Sequence, residues 1–354
     1  MSHITPAQRK ALDNPQSLDR LQTLFAMLQT CRPMGSATEH KFRADYLHDL
    51  PGMISDPYGN LHTVLPRHDG STSRALWSCH TDTVHWDEGS QLVEATGRYM
   101  RLSHQELNAN CLGADDTVGV WIMREMILAG VPGHYVFHHG EERGGIGSGD
   151  VTRYEPDRFT AALYAIAFDR RGTRDVITRQ AGGRCASDAF AHSLARQLRP
   201  VAKYRPSANG IYTDTAEYMH LVVECTNVSV GYESEHSERE RVDYWHAIAL
   251  LTTLCQFDES QLVAVRDLEQ AKREKAERAS LRRLMLAWRR AKANAEPKPM
   301  PEPRREYWID DAGKLIDAEV CDGDSDVMGD DWRRAANWPS AYGQRWRVKT
   351  KIGK

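Results

Sequence analysis

The chain has 354 residues, of which 41% are hydrophobic, 8% aromatic and 27% charged. Such values suit a folded enzyme of one large or two modest domains and exclude a collagen-like, mucin-like or wholly disordered chain. The formal net charge of −3 is too balanced to point to a bulk electrostatic partner, so nucleic acid is not an expected one. No apolar run approaches the roughly 20 residues that a membrane helix needs. The polar start MSHITPAQRKALDNPQ lacks the apolar stretch of a secretory signal, and the expected location is the cytoplasm. Seven cysteines (Cys31, Cys79, Cys111, Cys185, Cys225, Cys255 and Cys321) are scattered, odd in number and without a CxxC spacing. They read as small hydrophobes in a reducing compartment, not as disulfides or thiolate zinc ligands.

In chain order, Ser17 to Cys31 has apolar positions at helical spacing, and Ser36 to Leu50 reads as a second helix ended by Pro51. A Tyr58-Gly59-Asn60 turn precedes a strand from Leu61 to Leu65. Arg74 to Ser78 reads as a buried strand running into Cys79-His80-Thr81-Asp82. Gln91 to Leu102 reads as a hairpin turning near Gly97. Asp116 to Leu128 is an expected amphipathic helix, stopped by Gly130 and Pro132. Strands are expected over His134–His138, Leu163–Phe168 and Leu221–Val230, and helices over Ser187–Leu198 and Val242–Gln256. Strands alternating with helices predict an α/β fold, a mixed sheet wound on both faces in three α/β/α layers. Ligands in such sheets bind beyond the C-terminal ends of the strands.

Metal-type side chains fall at those ends: His80-Thr81-Asp82, Ala114-Asp115-Asp116, Gly140-Glu141-Glu142-Arg143, Phe168-Asp169-Arg170 and Glu235-His236-Ser237. Taken singly, a buried His or Asp is usually a satisfied structural residue, and a Glu pair usually a solvated surface. Adjacent acids after an apolar strand are different, because burying two carboxylates without a cation is costly. Two histidines with several carboxylates are the ligand types of zinc or a similar divalent ion.

HxD, then ADD opening a helix, then GEE, a strand-end Asp and a late His is a pattern that resembles the co-catalytic di-zinc exopeptidases. These include the compact single-domain aminopeptidases and their relatives of the peptidase T and carboxypeptidase G types. The similar region runs from about residue 17 to 258, and Gly59-Asn60 and Gly144-Gly145-Ile146-Gly147-Ser148 also fit it. The resemblance implies two Zn2+ ions, with Co2+ or Mn2+ as substitutes. It implies that His80 and Asp169 bind one metal, that Glu142 and His236 bind the other, and that Asp115 bridges them. Glu141 is implied as general base and Asp82 as the partner that fixes the His80 tautomer. Two metals roughly 3.5–4 Å apart acidify a water whose proton a nearby carboxylate takes, which fits these residue types. Asp116 is either a partner behind the ligands or the acid at its helix N-terminus. Tyr212 and Tyr232 are candidates for the oxyanion donor. Arg143 and Arg170 either bind a substrate carboxylate or neutralise the acidic site. Of His138 and His139, one is expected to face the site and the other the core.

Only 67 positions separate Asp169 from His236, and only 33 separate Asp82 from Asp115. The first interval has no room for an inserted lid domain of roughly 100 residues. The expected organisation is a lidless catalytic domain over 1–258, a basic helical extension over 259–295, and a proline linker with a Trp-containing tail over 296–354. Residues 264–305 carry 13 Lys/Arg against six Asp/Glu. Leu281, Leu284, Met285 and Trp288 form one helical stripe, expected to pack on the catalytic domain or a second subunit of a homo-oligomer. The expected activity is removal of N-terminal residues from peptide substrates. The alternatives are a carboxypeptidase, dipeptidase or N-deacylase with the same metals, and an inactive adaptor that binds through the basic segment.

Overall fold

The computed structural model describes residues 5–294, 304–309 and 315–320. The chain forms two compact units, Met1–Arg283 and Leu284–Lys354. The first is built on an eight-stranded mixed sheet. Its strands run in the order Arg205–Ser207, Asp175–Ile177, Glu224–Ser229, Tyr164–Arg170, Ala75–His80, Gly133–His138, Leu61–Leu65 and Ile54–Ser55. The middle four, from Glu224–Ser229 to Gly133–His138, are mutually parallel. Ala75–His80 is buried along its whole length, as a central parallel strand covered on both faces must be. Trp77 stacks on Phe168 of the neighbouring strand and meets the edge of Phe257.

The helix Ala114–Leu128 packs directly on the Ala75–His80 and Tyr164–Arg170 strands. The sequence predicts an amphipathic helix here, but the structure buries it on nearly every side. Gln16–Leu28 and Tyr244–Leu254 close over its outer face, so an apolar surface all round is what the position requires. Ser36 and Ser187 cap their helices by accepting the N–H groups of Glu39 and Phe190. A second sheet of four strands joins Tyr232–Glu233, Arg241–Asp243, Tyr99–Leu102 and Val93–Thr96. Val242 pairs with both Met100 and Tyr232, so the helix expected over Val242–Gln256 starts as strand, and the helix begins at Tyr244. The expected strand from Leu221 starts only at Glu224, because Leu221 and Val222 close a turn onto the Tyr218 carbonyl.

Five of the cysteines are buried thiols and Cys255 is half-buried; none of these six is paired. Among the described residues no helix is long and apolar enough to cross a membrane. The long helix spans Leu268–Asn294, and Leu281, Leu284 and Met285 on it are exposed. In the second unit Arg304–Ile309 pairs antiparallel with Leu315–Val320, bringing Trp308 opposite Ile316. The expected proline linker (296–303) and Trp332, Trp338 and Trp346 lie outside the described residues.

The turn that enters the Leu61–Leu65 strand is organised by one buried carboxylate. Asp56 accepts the N–H groups of Tyr58 and Asn60, the Asn60 side-chain amide, and His62 Nε2 at 2.8 Å. Burial acts to raise the pKa of Asp56, but the His62 and Asn60 bonds outweigh it and hold it at about 2. A depressed carboxylate pKa stabilises the fold above its unfolded value and loses that contribution as pH falls through the folded one. Asp56 therefore contributes about 2 kcal/mol near neutrality, lost progressively below pH ~4. Chemical denaturation of Asp56→Asn between pH 7 and pH 2 should show lower stability at pH 7 and a shallower acid limb than the parent.

Candidate metal centre

The ligand candidates arrive from separate elements at one end of the sheet. His80 ends one central strand, and Asp169 lies near the end of its neighbour. Successive strands are laid to opposite sides of Ala75–His80, with Gly133–His138 on one side and Tyr164–Arg170 on the other. The site therefore lies at the switch point of the sheet, where α/β folds open a crevice. Glu141 and Glu142 occupy a single 3-10 turn just beyond the Gly133–His138 strand. Asp115 sits at the mouth of the Ala114–Leu128 helix. His236 lies between Tyr232–Glu233 and Arg241–Asp243 in the left-handed region, at φ 60°.

Asp115 joins the two halves of the cluster. Its Oδ1 is 3.1 Å from His80 Nε2, and its Oδ2 is 3.5 Å from His236 Nε2. His80 Nε2 also lies 3.8 Å from Asp169 Oδ1, while His236 Nε2 lies 3.1 Å from Glu142 Oε1. One imidazole and one further carboxylate thus stand on each side of a shared carboxylate. Nitrogen and oxygen donors of His80, Asp115 and Glu142 lie close enough together to hold one ion, as do those of His80, Asp116 and Asp169. Glu141 belongs to neither group but lines the same cavity of about 240 Å³ with Asp115, Glu142, Asp169, Tyr212, Tyr232 and His236.

The residues behind the cluster are fixed largely by backbone contacts. The His80 Nδ1 atom meets the backbone carbonyl of Asp82 at 3.0 Å, whereas the Asp82 carboxylate is 3.5 Å away. That carboxylate instead accepts the N–H groups of Gly140, Glu141 and Glu142. Asp82 therefore orients His80 chiefly through its main chain, and its side chain holds the turn that carries the Glu pair. Asp116 does both jobs expected of it. Its Oδ2 accepts the His80 N–H and its Oδ1 accepts the Gly119 N–H, an N-cap contact. The Asp115–Asp116 peptide is cis. Tyr232 donates to Asp169 Oδ1 at 3.1 Å, and the Asn227 side chain clamps both backbone groups of Asp169. Tyr212 donates to Glu217 and stands over Gly145, where φ is 66° and an added Cβ would strike the tyrosine hydroxyl.

Other expected contacts take a different form. His138 is fully buried between Asn60 and Tyr218, and His139 lies beside Glu39, so neither reaches the ligands. Arg170 pairs with Asp175, and Arg143 is exposed.

Sequence reasoning passes over two supporting residues. Glu240 is buried and accepts the N–H groups of Gly113 and Asp115, tying the His236 loop to the central carboxylate. It sits in the run EHSERERV, which reads as a solvated charged surface. Arg32 is fully buried, donates to the Thr81 carbonyl and the Thr117 hydroxyl, and lies 4.2 Å over the Phe42 ring. A single Arg before a proline carries no pattern that would mark it.

The electrostatics match a cation site. Burial raises the pKa of Glu141, and Asp169, Asp214 and Asp115 add to that against the opposing pull of His80. Asp116 is raised well above the carboxylate range by burial and by Asp169. Bonds to Asp115 and Glu142 push His236 up to about 11. Burial would lower His80, but Asp115, Asp169 and Asp82 outweigh it and raise it well above the usual value. Closely packed carboxylates thus demand positive charge at the two imidazoles. Divalent ions meet that demand, and the mixed His/carboxylate donor set suits zinc, cobalt or manganese.

No protein-family model and no curated protein sequence matches the chain. Solved structures are similar to it. Aminopeptidase PepT from Bacillus cereus is 13% identical over 72% of this chain and 98% of its own, with a TM-score of 0.55. A tripeptidase from Staphylococcus aureus is 13% identical over the same shares, with a TM-score of 0.56. PhTET1-12s, solved as a dodecamer in the asymmetric unit, is 15% identical over 68% and 99%, with a TM-score of 0.51. At such identities the likeness is one of fold: the chain has the α/β architecture of these peptidases.

Gly119 lets the helix come close to the cluster. A Cβ there would lie 2.5 Å from both Asp116 carboxylate oxygens and from the Phe168 carbonyl, the residue before Asp169. Gly119→Ala should cost about 1–3 kcal/mol, as overpacking of a buried contact does. A thermal melt of the variant beside the parent reads this as a lower Tm; an unchanged Tm would contradict the packing.

Proposed function

We propose that this chain is a metal-dependent exopeptidase that removes N-terminal residues from peptides. The observation that carries this reading is Asp115, with one carboxylate oxygen toward each of two imidazoles that have a further carboxylate of their own. His80, Asp169 and Asp115 would hold one divalent ion, and His236, Glu142 and Asp115 a second. Zinc is the expected metal, and Co2+ or Mn2+ the substitutes. When bound, such ions would supply Lewis acidity to a scissile carbonyl and to an attacking water.

The protein's own part is proton transfer and placement. Glu141 shares the cavity with the ligand candidates and belongs to neither donor group, which supports a role for its carboxylate in taking a proton from water and handing it to the leaving amine. Asp82 holds the Glu141 N–H and so aims that carboxylate. Tyr212 and Tyr232 both line the cavity and both hydroxyls are engaged, Tyr212's by Glu217 and Tyr232's by the ligand candidate Asp169; that the Tyr212 partner lies outside the ligand set favours Tyr212 as oxyanion donor. A homo-oligomer is compatible with this reading, since the PhTET1-12s neighbour was solved as a dodecamer.

A second reading keeps the metals and reverses the end of the peptide. Arg170 and Arg171 line the cavity, and Arg171 is half exposed, so they offer a carboxylate-binding rim for a carboxypeptidase, dipeptidase or deacylase. Both are partnered by acids, Asp175 and Glu235, which leaves the aminopeptidase favoured.

Mass spectrometry of zinc-loaded protein on mixed peptides, half of them N-acetylated, tests the two readings. Chelator-sensitive loss of single residues from free N-termini is expected. Trimming from the C-terminus, or of acetylated peptides alone, would replace the first reading with the second. Glu141→Ala should retain the parent's metal content by elemental analysis while turnover falls about 10²–10⁴-fold. Full activity in that variant would remove Glu141 from the mechanism.

A further inference from the structure

One wall of the cavity is made by Gln180, Ile211 and Tyr212. These residues come from a short hairpin, Arg179–Gln180 paired with Gly183–Arg184, and from the loop that follows residue 210. The two pieces are bonded to each other. Ala181 N–H donates to the Ile211 carbonyl at 2.7 Å, and Gln180 Nε2 donates to Thr215 Oγ1 at 2.9 Å.

The hairpin, and the Met219–Val223 turn farther along the same loop, are gripped by a segment that follows the Tyr244–Leu254 helix. The Arg266 guanidinium donates to the Arg184 carbonyl of the hairpin at 3.2 Å. It also donates to the Val222 carbonyl at 2.8 Å, and to those of Met219 and Val223. A planar fork of five donors can reach carbonyls on two separate chain segments at once; an ammonium on a single nitrogen cannot span them in the same way. Arg266 is itself held, since the buried Glu224 carboxylate accepts the N–H groups of Val265 and Arg266 together with Ser187. Further along, Lys275 Nζ lies 3.1 Å from a His220 ring nitrogen. None of these contacts touches a ligand candidate.

We propose that Arg266 is a positioning residue for substrate side-chain recognition, holding the 179–184 hairpin and the 211–223 loop together as the wall against which the substrate residue next to the scissile bond packs. The proposal rests on the metallopeptidase reading for the identity of that substrate. It gives the segment after the catalytic fold a part in the site: the metals would stay in place without Arg266, but the wall would not.

Calorimetric binding of glycine hydroxamate and leucine hydroxamate to the zinc-loaded full chain tests this without requiring turnover. Both probes engage the metals, and only the second presents a side chain to the wall. The parent should bind leucine hydroxamate more tightly. Arg266→Ala should lose about tenfold or more on leucine hydroxamate, as small displacements of positioning groups do, with glycine hydroxamate, zinc content and circular dichroism unchanged. Arg266→Lys should fall between the two, and it carries the comparison if the alanine variant does not fold. Equal losses on both probes, no loss on either, a parent indifferent to the side chain, or a lysine variant equal to the parent would each overturn the proposal. A parent that discriminates between the probes but cleaves no peptide would instead remove the peptidase reading and leave the wall standing.

Discussion

The Asp115 carboxylate, shared between two imidazoles and withdrawn from solvent, is the constraint around which the centre is arranged. A carboxylate buried alone costs several kcal/mol, and here Asp82, Asp116 and the Asp169 side chain are buried beside it, with Glu141 half-buried at the cavity. His80 and His236 are far apart in the chain, yet both stand within reach of one side chain. The sheet reverses its winding direction at His80, beside this cluster. Only at such a switch do two strand ends and a helix mouth converge without a chain crossing between them.

Much of the surrounding polar structure secures main chain, not side chain. Asp82 gathers three N–H groups of the Glu141–Glu142 turn, Asp116 reaches the His80 N–H, Glu240 grips Gly113 and Asp115, and Asn227 brackets Asp169. A ligand on a loop is only as well placed as the loop, and a carboxylate accepting several N–H groups fixes it rigidly. These same contacts satisfy backbone donors that strand ends would otherwise leave buried and unpaired. The acids of the site therefore fall into two sets, one facing the cavity and one facing the backbone. Adjacent pairs such as Asp115-Asp116 supply a member to each.

This division explains what was legible in the sequence. The Leu61–Leu65 strand and the 93–102 hairpin were clear, because the Tyr58-Gly59-Asn60 turn and the Gly97 turn are local features. The ligand candidates were clear because acids and histidines after apolar strands are unusual, and the structure brings His80, Asp115, Glu142, Asp169 and His236 together. The Arg241–Asp243 strand was not legible, since its pairing with Tyr99–Leu102 spans more than a hundred residues and outweighs a local helical pattern. The burial of the Ala114–Leu128 helix was hidden for the same reason: what covers it is distant in the chain. Glu240, Arg32 and Arg266 carry no motif at all, because each is defined by the backbone groups it meets.

The same reasoning bears on how a fold persists at 13% identity with PepT while no family model matches. Side chains that pack the sheet faces can be exchanged for others of similar volume, and the sequence drifts with them. Side chains at the strand ends are instead held by short polar contacts, such as His80 to Asp115, which depend on position and not on volume. The Arg266 clamp belongs to a third kind of contact. It joins backbone carbonyls of two chain segments, so it acts on the course of the main chain and not on the side chains that line the cavity. A segment that follows the sheet fold in the chain can in this way bear on a cavity without touching any ligand candidate.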